Sequence, residues 1–156
     1  MNMESISQYW ESYRNKNNLP YSLPDAWMFG DGSETMGDEL AELVVSGVKR
    51  ATCSVKCIHD IEGEELPVEG QYSIILNGKN EPVCIIQFTK INILPMNEVT
   101  QTFATLEGEG DLSYKYWFEE HEKFFRKELS AYNLNFSYDI DLVCQEFKVV
   151  DRKTFD

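Results

Sequence analysis

Three short stretches of the 156-residue chain carry side chains whose types and spacing suit chemistry. The first is Gly47-Val48-Lys49-Arg50-Ala51-Thr52. Two adjacent cations stand where a helix stops and a strand begins, a junction at which they can converge with helix-end backbone groups on one ligand. A lysine activates a hydroxyl when burial lowers its pKa, because desolvation disfavours the ammonium. Thr52 follows Lys49 closely enough to meet it if the backbone turns. The plainer reading is a helix C-terminus dressed with cations that complement the dipole. The second stretch is Glu107-Gly108-Glu109-Gly110-Asp111. Its carboxylates, separated by glycines, form an acidic loop that supplies a general acid or base, or an acceptor for the exocyclic amine of a nucleobase. The plainer reading is a solvated loop whose Asp111 caps a helix starting at Leu112. The third stretch, Trp27-Met28-Phe29-Gly30-Asp31, puts aromatics into a loop. Such residues suit base stacking and core packing alike, and core is the expected role of Trp27 and Phe29 individually.

Other candidates are weaker. Cys53, Cys57 and His59 would share a face of a strand, but their spacing is not a zinc-finger pair and no second Cys-x-x-Cys occurs. No metal and no cofactor are expected. His121, four residues after Trp117 in a helical segment, reads as a surface or packing histidine rather than a base. A P-loop, a dinucleotide glycine turn, a Gly-x-Ser-x-Gly elbow and a His-Glu-x-x-His helix are all missing from the sequence.

Composition narrows the partners. Fourteen basic residues against 27 acidic ones give a net charge of −13. Binding duplex DNA needs a dense Lys/Arg surface to neutralise phosphates, so this balance argues against it. It argues equally against an anionic membrane surface. No apolar run approaches the ~18 residues of a membrane span, and residues 1–18 lack the apolar core of a signal peptide. The four cysteines are irregularly spaced and are expected as reduced thiols in a cytoplasm.

The elements that must position these residues follow from periodicity. Ile6, Tyr9, Trp10 and Tyr13 form the stripe of an amphipathic helix over about 3–17. Residues 20–37 read as loop. A helix over 35–46 turns Leu40, Leu43 and Val44 inward and stops at Gly47. Strands are expected over 51–58, 72–76, 83–88, 90–94 and 138–150, with a hairpin loop over 77–82. Asn97 is expected to cap a short helix running through Phe103, and a long helix spans 112–131. Nothing marks a linker or an internal repeat, so 1–156 reads as one domain. Strands crowded in the middle with helices at the flanks favour an α+β fold: a small, mostly antiparallel β-barrel or curled sheet decorated by helices.

Taken in order, these motifs resemble the ASCH domain family. The resemblance rests on the Trp27–Asp31 and Gly47–Thr52 stretches, the two β runs, Phe103-Ala104 leading into Glu107–Asp111, Tyr116-Trp117 with His121 and Phe124-Phe125, and the closing 141–147 strand. It covers about 27–150. It implies a PUA-like barrel with a small cleft for RNA, a nucleotide or a modified nucleoside. There Lys49 and Arg50 would meet phosphate or carbonyl oxygens, Trp27 would stack, and Glu109 would share the site. Some members look like small amidohydrolases that remove an acyl group from an acylated cytidine with a Lys, a Thr three residues later and a Glu. The matching residues here are Lys49, Thr52 and Glu107, with Glu109 the alternative acid. Where the family's barrel strand often opens with Gly-Asp, this chain has Gly70-Gln71. A non-catalytic regulatory module recruited by a protein partner is a third reading. Composition favours a small ligand over long RNA.

Overall fold

The two apolar β runs become the centre of a sheet because both of its faces are covered. The computed structural model describes residues 3–154; residues 1, 2, 155 and 156 of the expected 1–156 domain lie outside the described residues. Strands β3 (Tyr72–Leu76) and β4 (Pro82–Pro95) pair antiparallel around the 77–81 turn. Ile74, Leu76 and Ile85 point to one face, where helix α1 (Met3–Asn17) lays Ile6, Tyr9 and Trp10 on them. Ile75, Cys84, Ile86 and Phe88 point to the other, under Leu40 and Val44 of helix α2 (Glu34–Val45). Strands buried on both sides read as continuous apolar runs rather than alternating ones.

Strand β5 (Asp141–Arg152) lies antiparallel along the whole of β4, and β2 (Ala51–Val55) pairs antiparallel with β5. A short strand, β1 (Asp25–Met28), runs parallel to β3 and completes the order β1-β3-β4-β5-β2. The β4–β5 ladder shifts register between Ile85 and Ile86 and again between Phe88 and Lys90. Such bulges bend and twist the strand that carries them, and they curl the sheet. The expected α+β architecture, mostly antiparallel and decorated by helices, is the one observed. Among the described residues, no helix is long and apolar enough to cross a membrane.

Several local expectations differ from the structure. The 20–37 loop contains β1. The strand expected over 51–58 stops at Val55, and helix α3 (Lys56–Glu62) takes Cys57 and His59 away from it. The strands expected over 83–88 and 90–94 are one bulged strand. Asn97 lies in a 3-10 turn, Met96–Glu98, and helix α4 (Gln101–Glu107) is instead capped by Thr100, whose side chain accepts from the Phe103 N–H. Helix α5 (Tyr114–Ser130) starts later than expected: Ser113 is its N-cap and accepts from the Tyr116 N–H. Asp111 accepts from the Ser113 N–H, so it shapes the turn ahead of the cap. Trp117, Phe125 and Leu129 of α5 pack with Ala51, Val55, Leu142 and Cys144 of β2 and β5. That contact fixes α5 beside the open side of the sheet.

Candidate functional site

Lys49 follows the left-handed Gly47 at the end of α2, where the N–H groups of Val48 and Lys49 both donate to the Leu43 carbonyl. The chain then enters β2. Its neighbour Arg50 is tied through the backbone to Leu106 and Phe147. The side chains of these two cations part company. Arg50 is exposed, whereas Lys49 is 1% exposed.

Helix α4 ends against this junction. Gly108 caps it with φ of +73°, and a Cβ there would stand 2.5 Å from the Val48 carbonyl oxygen and 2.9 Å from the Lys49 Cα. Only glycine permits both the left-handed turn and that approach. The two glutamates flanking Gly108 are thereby delivered to the lysine. Lys49 Nζ donates to Glu107 Oε1 at 2.9 Å, to Glu109 Oε2 at 3.0 Å and to the Ala51 carbonyl at 2.9 Å. The Glu107 carbonyl accepts as well, at 3.3 Å, so the three protons of the ammonium meet four acceptors and none is left free. Burial opposes the charge on Lys49, but Glu107 and Glu109 outweigh it and hold the ammonium above the ordinary lysine range. The ring of Phe29 lies 5.4 Å from Nζ on another side.

Glu107 is as deeply buried as its partner. Its second oxygen, Oε2, accepts from the Trp117 indole N–H at 2.8 Å and from the Cys53 thiol at 3.1 Å, and lies 3.2 Å from His121 Nε2. Burial raises the Glu107 pKa, yet Lys49 and His121 pull it far below the usual carboxylate range. Nδ1 of His121 lies 2.7 Å from the Trp117 carbonyl, which can only accept. Nε2 faces the Glu107 carboxylate, so both ring nitrogens are placed to donate, the arrangement that favours the imidazolium. Burial disfavours that charge, but Glu107 restores it and raises the His121 pKa. The Cys53 thiol is pushed well up, first by burial and then by Glu107. The site thus balances two cations against two carboxylates.

These groups line a cavity of about 920 Å³. One wall carries Trp27, Phe29 and Met36, the other Tyr116, Phe124 and Phe125 of α5, with Lys49, Thr52, Cys53, Glu107, Glu109 and His121 also on its surface. Trp27 is half-buried and packs edge-on against Phe29, with ring centroids 4.4 Å apart. The acidic side chains of Asp31, Glu39, Glu120 and Glu128 outnumber Lys123 and Lys127 around the cavity.

Of the residues singled out from sequence, Lys49, Thr52, Glu107, Glu109 and Trp27 come together here, and Arg50 does not. Both glutamates reach Lys49: Glu107 as the buried partner, Glu109 as the one that keeps 24% of its side chain exposed. Thr52 is half-buried and, among the described residues, is not a partner of Nζ. The set Cys53, Cys57 and His59 is dispersed by α3. His121 and Cys53 were the residues that sequence reasoning placed elsewhere. A signal for His121 existed in its i, i+4 spacing from Trp117, since both then face the same carboxylate.

A family model described as the ASCH domain matches residues 25–151. A crystal structure of a protein from Enterococcus faecalis V583 superposes with a TM-score of 0.90 at 49% identity, covering 96% of this chain and 90% of that one. A high-resolution crystal structure of an ASCH domain from Lactobacillus crispatus JV V101 gives a TM-score of 0.89 at 31% identity and covers 96% of both chains. No curated protein matches the chain.

Proposed function

This chain belongs to the ASCH domain family, and from that premise we propose that its cavity binds a small nucleoside-type ligand rather than extended RNA. The observation that carries the reading is the buried Lys49–Glu107–Glu109 cluster within a cavity walled by aromatics on two sides. Flat rings suit walls of Trp27, Phe29, Tyr116 and Phe124. A volume of about 920 Å³ falls in the range of small-molecule sites. The partly exposed Glu109 is the Lys49 partner that an incoming carbonyl replaces; once displaced, its carboxylate accepts from an exocyclic amine. The acidic surroundings and the net charge of −13 oppose a polyphosphate backbone. The test is titration of the full chain with cytidine, N4-acetylcytidine, cytidine monophosphate and a short single-stranded RNA at low salt. The nucleosides are expected to bind, the RNA no tighter than its monomer, and Glu109→Gln is expected to weaken the nucleosides. Absence of nucleoside binding refutes the reading.

A second reading, removal of an acyl group from an acylated cytidine, is favoured by one observation: Lys49, Thr52 and Glu107 line the same cavity. For Thr52 to attack, its proton must pass to a base. Lys49 as found is a saturated ammonium and is not that base. When a bound ligand fills the cavity and excludes water, transfer of a Lys49 proton to Glu109 yields a neutral amine and a neutral acid, which desolvation favours. Thr52 then gives its proton to the amine as its hydroxyl oxygen attacks the acyl carbonyl; the amide C–N bond breaks as the protonated Glu109 gives its proton to the departing cytidine nitrogen, and one water hydrolyses the Thr52 ester to release acetate. Release of acetate from N4-acetylcytidine, lost in Thr52→Val, is the expected result; turnover that survives Thr52→Val rejects the scheme.

A further inference from the structure

Three unlike donors meet behind the lysine. Cys53 Sγ, Glu107 Oε2 and His121 Nε2 all lie within 4.8 Å of one another, and all three residues line the cavity. We propose that Cys53, Glu107 and His121 form a site for a zinc-class divalent cation, with a fourth coordination position open to the cavity.

The spacing fits. With metal–ligand distances of roughly 2.0–2.3 Å and tetrahedral angles, donor atoms sit about 3.4–3.6 Å apart. Oε2 is 3.1 Å from Sγ and 3.2 Å from Nε2, and Sγ and Nε2 lie within 4.8 Å of each other, so small rotations of the three side chains admit the ion. The outer shell is in place as well. A ligating histidine almost always donates its other ring N–H to a carbonyl or carboxylate, which fixes the tautomer. Here Nδ1 lies 2.7 Å from the Trp117 carbonyl and aims Nε2 at the site. Glu107 is oriented by Lys49 on Oε1 and by the Trp117 indole on Oε2. A sulfur, an imidazole and a carboxylate with one free position is the donor pattern of a catalytic zinc centre, not of a closed structural one.

Charge is conserved in the exchange. The metal-free site holds a thiol, an imidazolium and a carboxylate, which sum to no charge. Thiolate, neutral imidazole and carboxylate around a doubly charged cation also sum to none. One cation therefore displaces two protons, one from Cys53 and one from His121. The other charged and titratable groups that face the site are Lys49 with its partner Glu109, and Cys144, paired across from Cys53 on β5. The inference stands apart from the nucleoside reading, since ion binding needs no organic ligand.

The experiment uses the full chain, stripped with a chelator and titrated with Zn²⁺ and Co²⁺. Calorimetry in buffers of different ionisation enthalpy is expected to give one Zn²⁺ per chain and two protons released. Co²⁺ is expected to show a thiolate charge-transfer band with the intense visible bands of a tetrahedral ion. Cys53→Ser and His121→Asn should each weaken binding by at least about tenfold, the scale on which even outer-shell partners act, while Cys57→Ser leaves it unchanged. Zn²⁺ binding without a thiolate band, or binding indifferent to both site variants, identifies ions on the acidic surface and overturns the proposal; so does an absence of binding. The wild-type cobalt spectrum decides the matter even if a variant fails to fold.

Discussion

Gly108 is the residue on which the site's assembly turns, and its replacement can be worked out in advance. Gly108→Ala adds two costs. The backbone there sits at φ +73°, ψ +16°, and an L side chain in the left-handed region costs roughly 1–2 kcal/mol. The new Cβ would also stand 2.5 Å from the Val48 oxygen and 2.7 Å from its carbonyl carbon. Backbone atoms cannot swing aside as a flexible side chain does, and overpacking of this kind costs about 1–3 kcal/mol. The total is roughly 2–5 kcal/mol, or about 4–20 °C in Tm at the ~2–4 °C per kcal/mol of a chain this size. Gly63 supplies an internal standard. It caps α3 at φ +68°, ψ +24°, and nothing lies within 4 Å of the position its Cβ would take. Gly63→Ala thus reports the conformational cost alone, about 1–2 kcal/mol. Thermal unfolding by circular dichroism compares the two, and a Gly108→Ala loss no greater than that of Gly63→Ala would refute the claim that α4 is pressed onto the Lys49 backbone. Relief of the clash pushes Glu107 and Glu109 off Lys49, so Gly108→Ala is also expected to lose ligand binding while Gly63→Ala retains it.

Other consequences are open to direct measurement. Lys49→Met leaves Glu107 buried without its main cation, and chemical denaturation should show a loss of about 3–5 kcal/mol, as for other halved buried ion pairs; a loss under 1 kcal/mol would mean that the pair is not buried in solution. In chelator-treated protein the His121 imidazolium is expected to titrate above the ordinary 6.5. Its stabilising effect is then full below pH 6.5 and is lost as pH rises through the folded-state value; NMR of the ring gives the midpoint, and His121→Phe should flatten that part of the stability profile. Ser113→Ala removes the α5 cap and is expected to cost about 1 kcal/mol, more than Asp111→Ala; the reverse order, read by thermal unfolding, would return the cap to Asp111.

Much of the architecture could be read from residue order because burial leaves a pattern. The β3 and β4 runs are apolar on both faces, and α1 repeats its apolar residues on one side only. What escaped reading lacks such a pattern. Strand β1 is four residues long and is held by parallel pairing to β3, a long-range event with no local signature. The split of β4 at Thr89-Lys90 reflects two exposed residues beside a bulge, not a break in the chain's direction. Asp111 and Ser113 are both good capping types, and the structure uses both, one after the other. Within the site, Lys49 and the two glutamates stood out by type and by the glycines around them. Arg50 shared the same motif, yet its side chain remains in solvent. Cys53 and His121 stayed hidden because the atom that gives them meaning, Oε2 of Glu107, is 54 residues from one and, for the other, is reached only once α5 docks.

The N-terminal helix bears on how this module can be excised. The matched family segment begins at residue 25, whereas α1 ends at Asn17. Yet Ile6, Tyr9 and Trp10 cover Ile74, Leu76 and Ile85, and the Tyr9 hydroxyl donates to the Asp151 carboxylate at 2.7 Å. A fragment cut at the family boundary would open that entire sheet face to water and would offer other chains an adhesive surface. The smallest portable unit of this protein therefore reaches back to its first helix, even though no residue of that helix lines the Lys49 cavity.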